Sequence, residues 1–238
     1  VDICRSFGGH TVFEPVTGII RAGDRIGVVG PNGAGKTTFC RILAGLDAPD
    51  SGQVHSDKNL SLRYMEQEIS TSSGRGVLEE LIASAGEVRE LEHRIAEFQA
   101  RLERGETPDE DELHRYGSML ERFERLEGYS LRARAEKILV GLGLGEETFT
   151  QRVDSLSGGQ RSRLALARCL LAEPDILFLD EPTNHLDLRA IEFLEGFLAE
   201  TRSTVVVISH DRAFLNNVTT RTIEILDRKV TLYNGNYD

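Results

Sequence analysis

The segment that most limits the fold of this chain is DRIGVVGPNGAGKT, from Asp24 to Thr37. Its first half, ending at Gly30, is a short apolar run that predicts a buried strand. Residues 36–44 follow with one apolar side, and Gly45 supplies a C-terminal stop, so they predict a helix. A strand, a glycine-rich loop of the form GxxxxGK[ST] and a helix in this order predict an α/β fold around a phosphate-binding loop.

The chemistry of this loop is specific. Glycines let backbone amides surround a phosphate, Lys36 supplies a positive charge for the β- and γ-phosphates, and Thr37 offers a hydroxyl to Mg²⁺. An ordinary glycine-rich turn is the alternative, but the strand, the lysine and the helix together disfavour it. The predicted nucleotide ligands are Gly30, Asn32, Gly33, Ala34, Gly35, Lys36, Thr37 and Thr38.

A second candidate site lies in DILFLDE, where Asp180 and Glu181 end an apolar strand. A carboxylate at the carboxyl end of a parallel strand is well placed to hold Mg²⁺ near a phosphate loop, and a neighbouring carboxylate can activate water. We therefore predict that Asp180 binds the metal and that Glu181 is the general base. On its own this pair could equally be an acidic turn after a strand.

Composition excludes several classes of protein. The chain has 238 residues, 39% of them hydrophobic, and no apolar run approaches the length of a membrane span. The N-terminus lacks the features of a signal peptide, so we expect a cytoplasmic protein with no membrane insertion. Three scattered cysteines indicate neither disulfides nor zinc, and a net charge of −11 means that any RNA contact must be local. The ending LYNGNYD and the initial Val suggest a fragment of a longer protein.

We expect one domain over 1–238 with three parts: a nucleotide-binding β/α part (1–67), a helical subdomain (68–155), and the LSGGQ helix with the second half of the α/β core (156–238). Within the helical part, apolar residues recur at three- and four-residue steps and predict an antiparallel helical hairpin, the arm, over 75–127. Thr107, Pro108 and Glu110 predict a capping box at the start of its second helix. The arm holds eight arginines and fifteen acidic residues, a net charge of −7.

The last part returns to α/β character. DILFLDE and STVVVISH are nearly continuous apolar runs, as expected for strands buried on both faces of a parallel sheet. Leu188, Ile191, Leu194 and Leu198 predict a crossover helix between them. The final segment predicts an antiparallel hairpin that turns at Asp227 and Arg228.

A second glycine-rich helix start lies in LSGGQ. Ser157 and Gln160 have the spacing of a capping box, which is a purely structural explanation. Gly158 and Gly159 each weaken a helix by about 1 kcal/mol relative to alanine, so stability does not explain them. Bare amides at a helix N-terminus also form an anion site. Both interpretations are compatible.

Together these motifs resemble a known family. GPNGAGKT, LSGGQ, DILFLDE and ISH occur in the order and approximate spacing of ATP-binding cassette (ABC) ATPases, and EPTNHLD resembles the form typical of the F subfamily. The resemblance spans the chain. It implies a P-loop NTPase cassette with a mostly parallel core sheet, a small antiparallel β part and a helical arm subdomain. It also implies an ATPase that uses ATP and Mg²⁺.

The resemblance adds site residues. It implies that Ser157, Gly158, Gly159 and Gln160 reach the ATP held by a different cassette, so that a second cassette is needed, and that Asp187 lies in the loop that crosses to that partner. It further implies that Gln67 senses Mg²⁺ and the γ-phosphate, that His210 contacts the γ-phosphate and that Phe7 stacks on adenine. Structural roles are the alternatives: an N-cap for Asp187, a core position for Phe7, and a surface or structural role for Gln67 and His210.

Three functions are compatible with these motifs. The first is an F-subfamily ATPase that acts on the ribosome and rRNA in translation or antibiotic resistance, with this chain the first of two cassettes. The second is the motor subunit of a membrane transporter, which Asn184 and His185 disfavour because the resembling motors carry small residues there. The third is a nonhydrolytic ATP-gated clamp, which Glu181 disfavours because a clamp needs no general base.

Overall fold

A computed structural model describes residues 1–8, 10–65 and 74–237. The chain divides into two compact units. The first comprises Val1–Ser70, Gly141–Gly143 and Glu173–Asp238, and the second comprises Thr71–Val140 and Leu144–Ala172.

The first unit is an α/β unit built on a six-stranded sheet. Five strands are parallel, the sixth is antiparallel, and a separate antiparallel pair, β1 and β2, forms a small second sheet. In chain order the elements are β1 (Ile3–Phe7), β2 (His10–Val16), β3 (Arg25–Val29), α1 (Lys36–Leu43), β4 (Leu62–Tyr64), β5 (Ile176–Asp180), α7 (Leu188–Glu200), β6 (Thr204–Ile208), α8 (Arg212–Val218), β7 (Arg221–Leu226) and β8 (Lys229–Asn234).

The strand order in the large sheet is β4-β5-β6-β3-β7-β8, with β8 antiparallel to β7. The predicted mostly parallel sheet with a small antiparallel part is thus confirmed. Strand β3 lies between β6 and β7, so the loop that follows it leaves the interior of the sheet rather than an edge.

The core of this unit explains its strand sequences. All five residues of β6 are buried, as expected for a strand covered on both faces. Phe39, Cys40 and Ile42 of α1 belong to the same buried cluster as the apolar residues of β3 and β6, which fixes the helix that follows the glycine-rich loop. Ala44 ends this helix and Gly45 follows with φ +72°, which confirms the predicted glycine stop.

The C-terminal hairpin also follows its sequence. Asp227 and Arg228 connect β7 to β8 with φ values of +49° and +67°. Two consecutive residues of positive φ form the tight turn whose twist suits a two-residue hairpin. The predicted turn at these two residues is confirmed.

The second unit is helical. Its helices are α2 (Val77–Ala83), α3 (Gly86–Glu103), α4 (Glu110–Arg125), α5 (Leu131–Gly141, whose last residue belongs to the first unit) and α6 (Gly158–Leu171). Helix α6, which the sequence grouped with the α/β core, therefore belongs to the helical unit. In the part of the chain that the structure describes, no helix is long and apolar enough to cross a membrane.

Helices α3 and α4 form the predicted antiparallel hairpin, the arm, with Gly105 in the connection at φ +81°. Leu91, Ile95 and Phe123 form its buried cluster, and the rings of Phe98 and Tyr116 stack with centroids 4.4 Å apart. Apolar contacts therefore hold α3 and α4 together in the half of the arm that is farthest from the connecting loop.

The tip of the arm differs from this half. Leu102 and Leu113 are among the apolar residues whose three- and four-residue spacing predicts the hairpin, yet they are 41% and 49% exposed. Arg101 instead forms ion pairs with Glu106 at 2.9 Å and Glu112 at 3.0 Å. The tip is held by exposed ion pairs rather than by buried side chains.

The start of α4 differs from its prediction. Its N-cap is Asp109, not Thr107: Glu112 N donates to Asp109 Oδ1 (2.7 Å) and Asp109 N donates to Glu112 Oε2 (3.3 Å). Both Thr107 and Asp109 have glutamate three residues later, so the local pattern fits either. The aspartate adds a negative charge at the helix N-terminus, which the helix dipole favours.

The beginning of the predicted hairpin also differs. Residues 77–83 form a separate helix, α2, which packs against α6. Val77 and Leu81 are fully buried, and the carboxylate of buried Glu80 pairs with Arg168 of α6. The arm helices themselves therefore span Gly86–Arg125.

Candidate functional site

The loop between β3 and α1 has a backbone that only glycine adopts easily. Gly30 has φ +150° and Gly35 has φ +93°. A Cβ at Gly30 would lie 2.3 Å from the carbonyl oxygen of Ile225, and one at Gly35 would lie 2.3 Å from Val12 Cγ1. The backbone of β7 and the Val12 side chain of β2 thus leave no room for a Cβ at these two loop positions.

This shape places Lys36 over the loop. Its Nζ donates hydrogen bonds to the carbonyl oxygens of Gly30 (2.9 Å) and Pro31 (3.1 Å), and the residue is buried. The N-cap of α1 is Gly35, which has no side chain to cap the helix N-terminus. Backbone amides at the start of the helix and the lysine charge together make an anion site suited to phosphate.

Asp180 lies at the carboxyl end of β5, as predicted, and is buried. The Tyr64 hydroxyl donates a hydrogen bond to its Oδ2 at 3.0 Å. Burial, together with the charge of Asp180, raises the pKa of Tyr64 well above its ordinary value, so the phenol stays a neutral donor. Burial likewise raises the pKa of the neighbouring Cys40 thiol, with a further contribution from Asp180.

Glu181 directly follows Asp180 but has a left-handed backbone, with φ +51°, and its amide donates to Ile208 O at 2.8 Å. Its Oε1 lies 3.5 Å from His210 Nε2. Burial is the largest influence on the Glu181 carboxyl and raises its pKa, which His210 opposes. A carboxylate with a raised pKa is a stronger base for water than an exposed one.

His210 is positioned by two elements. It follows β6 closely, and the next residue, Asp211, caps α8 by accepting a hydrogen bond from Phe214 N at 3.1 Å. The imidazole is 55% exposed, whereas the Glu181 side chain is 17% exposed. The histidine is therefore accessible to a ligand that enters beside Glu181.

These residues surround one cavity of about 540 Å³ in the α/β unit. Nine of the predicted site residues line it: Asn32, Gly33, Gly35, Lys36, Thr37, Thr38, Asp180, Glu181 and His210. Gly30 takes part through its carbonyl contact with Lys36. The cavity thus brings together the phosphate loop, both carboxylates and the histidine from separate parts of the sequence.

Sequence reasoning missed three lining residues and one contact. Val12, Asn184 and Ile208 also line the cavity. Val12 and Ile208 carry no chemical signal, and Asn184 enters the sequence argument only as a residue that distinguishes subfamilies. The Tyr64–Asp180 hydrogen bond joins residues 116 positions apart, so no local pattern indicates it.

The donor set fits Mg²⁺. The Thr37 hydroxyl and the Asp180 carboxylate line the same cavity, and hard oxygen donors are what this ion prefers. Within residues 1–8, 10–65 and 74–237, no cluster of three or more His, Cys, Asp or Glu forms a closed metal cage. The arrangement suits an ion that takes its remaining ligands from nucleotide phosphates and water.

The LSGGQ segment lies in the helical unit and confirms the predicted capping box. Ser157 N donates to Gln160 Oε1 (3.0 Å) and Gln160 N donates to Ser157 Oγ (3.3 Å). Ser157 and Gly158 are exposed at the start of α6. A Cβ at Gly158 would meet no atom of the described residues within 4 Å, so their packing does not require glycine there.

Three further predictions have different outcomes. Asp187 caps α7 by accepting from Ala190 N at 2.9 Å, which confirms its structural role; its role toward a partner stays a prediction. Gln67 lies outside the described residues. Phe7 lies in β1, but its side chain is outside the described part, so its adenine contact also stays a prediction.

Similar proteins point to one family. The family described as ABC transporter matches residues 13–184. The ABC transporter F family member 2 of Arabidopsis thaliana is 38% identical over 244 residues, covering 99% of this chain and 35% of the plant protein. The tylosin resistance ATP-binding protein TlrC of Streptomyces fradiae is 36% identical over 237 residues, covering 99% of this chain and 43% of TlrC.

The fold has a parallel among solved structures. A dimeric ATP-binding cassette in a post-hydrolysis state, bound to ADP and Pi, matches with a TM-score of 0.64 and 21% identity, covering 98% of this chain and 96% of that one. The chain spans only about two fifths, or less, of the length of the two curated relatives. With this site and this family match, the chain belongs to the ABC transporter family, whose cassettes are ATPases.

Proposed function

We propose that this chain is a cytoplasmic ATP-hydrolysing cassette of the F subfamily, and that it forms half of a pair that closes on ATP to act on the ribosome. The observation that carries the proposal is the single cavity lined by Lys36, Thr37, Asp180, Glu181 and His210. It contains the groups needed to hold a triphosphate and to activate water.

The chemistry follows from these positions. The amides at the start of α1 and the Lys36 ammonium bind the β- and γ-phosphates. Mg²⁺, held by Thr37 and Asp180, would neutralise phosphate charge when bound. Glu181 takes a proton from the attacking water, whose oxygen bonds to the γ-phosphorus as the bond to the ADP oxygen breaks. His210, beside Glu181, faces the transferred phosphoryl group.

The second half of the site comes from another cassette. Ser157 and Gly158 are exposed, and no neighbour among the residues that the structure describes explains the glycine. An exposed helix N-terminus without a side chain at its first position can approach an anion closely. We infer that this surface closes over the ATP of a partner cassette and that Gln160 keeps its shape through the capping box. The dimeric state of the solved cassette supports this pairing.

The proposed action on the ribosome rests on the resemblance to the F subfamily, which two relatives support. An F family member of a plant and a tylosin resistance protein are similar over nearly the whole chain. Glu181–Asp187 has the sequence EPTNHLD, which resembles the form typical of the F subfamily. The arm has a net negative charge, so contact with rRNA would rely on local groups such as Arg101 and Arg104 at its tip.

The alternative is an ATPase subunit of a membrane transporter. The description of the matching family favours it in general terms. Asn184, which lines the cavity, and His185 disfavour it, because the resembling motors have small residues at these two positions.

Co-sedimentation with ribosomes tests the proposal. The full-length protein carrying Glu181→Gln should bind ATP without turning it over and should pellet with ribosomes only when ATP is present. The Lys36→Ala variant, which should bind ATP more weakly, is the control at a limiting ATP concentration. Equal pelleting with and without ATP, or none at all, would contradict action on the ribosome while leaving the ATPase assignment intact.

A further inference from the structure

The hydroxyl of Tyr64 makes a direct contact with the metal-binding carboxylate. It donates to Asp180 Oδ2 at 3.0 Å, and both residues lie in the α/β unit. Asp180 is only 5% exposed, and it also lines the nucleotide cavity. A buried carboxylate with one oxygen held by a donor has few ways to rotate.

The surroundings of Tyr64 make this donor rigid. Strand β4 pairs in parallel with β5, with Tyr64 opposite Phe178, and Met65 N donates to Phe178 O at 2.9 Å. The rings of Tyr64 and Phe178 stack at an angle of 21° with centroids 6.0 Å apart. The backbone ladder and the ring contact therefore fix the hydroxyl relative to the end of β5.

We propose that Tyr64 is a positioning residue that orients the Asp180 carboxylate toward the bound Mg²⁺. This inference rests on the proposed function, because it concerns the metal that accompanies ATP in the same cavity. A hydrogen bond from an outer group to a metal ligand fixes the orientation of that ligand, and its loss weakens metal binding. Tyr64 itself touches neither nucleotide nor metal in this role.

The position of Tyr64 gives it a second consequence. It ends β4, three residues before Gln67, which the sequence predicts to sense Mg²⁺ and the γ-phosphate. Tyr64 thus ties the strand that leads to Gln67 to the strand that carries Asp180.

The test uses Tyr64→Phe in the Glu181→Gln background, so that ATP is not consumed. The phenylalanine keeps the ring against Phe178 and removes only the hydroxyl. Tyr233→Phe is the matched control, because its hydroxyl also contacts a carboxylate, that of Glu224 at 3.1 Å, and neither residue lines the nucleotide cavity.

Two quantities are measured: the affinity for ATP with EDTA present, and the affinity for Mn²⁺ in the presence of ATP, followed by electron paramagnetic resonance. Tyr64→Phe should weaken Mn²⁺ binding on the order of tenfold, as expected for one charge-assisted hydrogen bond. Its metal-free ATP affinity should match the background, and Tyr233→Phe should change neither quantity. In an Asp180→Asn background, Tyr64→Phe should add no further loss.

Two results would overturn the inference alone. The first is an Mn²⁺ affinity of Tyr64→Phe equal to that of the background. The second is a loss of metal-free ATP affinity as large as the loss of Mn²⁺ affinity, which would indicate a merely structural role. If the Glu181→Gln background itself binds no ATP, the proposed function fails, and the Tyr64 inference fails with it.

Discussion

The carboxylate of Glu181 and the imidazole of His210 face each other across 3.5 Å at the ends of two adjacent strands, β5 and β6. The pair is asymmetric, since the carboxylate is largely buried and the imidazole is mostly exposed. This geometry fits the two proposed roles, with Glu181 as the base for water and His210 as a contact for the phosphate. It leads to the first prediction.

Glu181→Gln should lower the turnover number by about 10²- to 10⁴-fold, because the amide cannot accept the proton of the attacking water. ATP affinity should be retained, since the phosphate loop is unchanged. Phosphate release and equilibrium ATP binding measure the two effects. Glu192→Gln, an exposed change on α7, is the control. A fully active Glu181→Gln protein would exclude this residue as the base.

Lys36→Ala should weaken ATP binding on the order of 10- to 100-fold, because it removes a charged donor from the phosphates. It also removes the two hydrogen bonds that Nζ makes to the loop carbonyls in the structure. Fluorescent nucleotide titration measures the affinity. Lys58→Ala, at an exposed loop position, should bind ATP normally. Unchanged affinity in Lys36→Ala would contradict the phosphate-loop assignment.

Gly158→Asp should prevent ATP-dependent pairing of cassettes while leaving the fold intact. The new side chain has free space, and an acidic residue in the first helical turn suits the helix dipole. It would, however, repel a phosphate brought by the partner. Sedimentation velocity in the Glu181→Gln background, with and without ATP, detects the pairing.

Gly196→Asp provides a matched control for that experiment. Gly196 also lies in a helix, its φ is not positive, and a Cβ added there would meet nothing within 4 Å. Its substitution should leave pairing unchanged. If Gly158→Asp pairs as well as Gly196→Asp does, the exposed glycine of LSGGQ has no role in the interface.

Replacing 99–115, the tip of the arm, with a short glycine-serine linker should weaken ribosome association and spare ATP binding. The cut lies between Phe98 and Tyr116, whose stacked rings hold the two helices close together. The buried cluster of Leu91, Ile95 and Phe123 remains complete. A deletion over 75–127 would also remove α2, which packs against α6. A loss of ribosome association could then result from misfolding rather than from the missing tip.

Ribosome co-sedimentation and ATP titration of the tip variant give the two readouts. The double change Arg101→Ala and Arg104→Ala tests whether these two charges, together with their ion pairs to Glu106 and Glu112, carry the effect. Undiminished co-sedimentation of the tip variant would assign the arm to some other partner.

Local sequence patterns predicted most of the site because its chemistry is concentrated in short motifs. The phosphate loop needs a strand, glycines, a lysine and a helix in direct succession, and all of them occur between Asp24 and Gly45. The hairpin turn at Asp227 and Arg228 and the cap at Ser157 are likewise decided by neighbouring residues.

The features that were missed depend on distant or competing contacts. The Tyr64–Asp180 bond forms only because β4 and β5 pair in the sheet. Asp109 and Thr107 satisfy the same local rule, so the pattern alone could not choose between them. Leu188, predicted on the buried face of α7, is 71% exposed because it is the first residue of the helix, and Ala190 is buried instead.

The two halves of the arm are held by different kinds of contact, so its base should be stiffer than its tip. Exposed ion pairs such as those of Arg101 contribute little free energy and weaken as salt rises, whereas the buried cluster near the other end does not depend on salt. Raising the ionic strength should therefore weaken the contacts at the tip of the arm before those at its base. The tip can then change its ionic contacts while the buried cluster still holds the two helices together at the base.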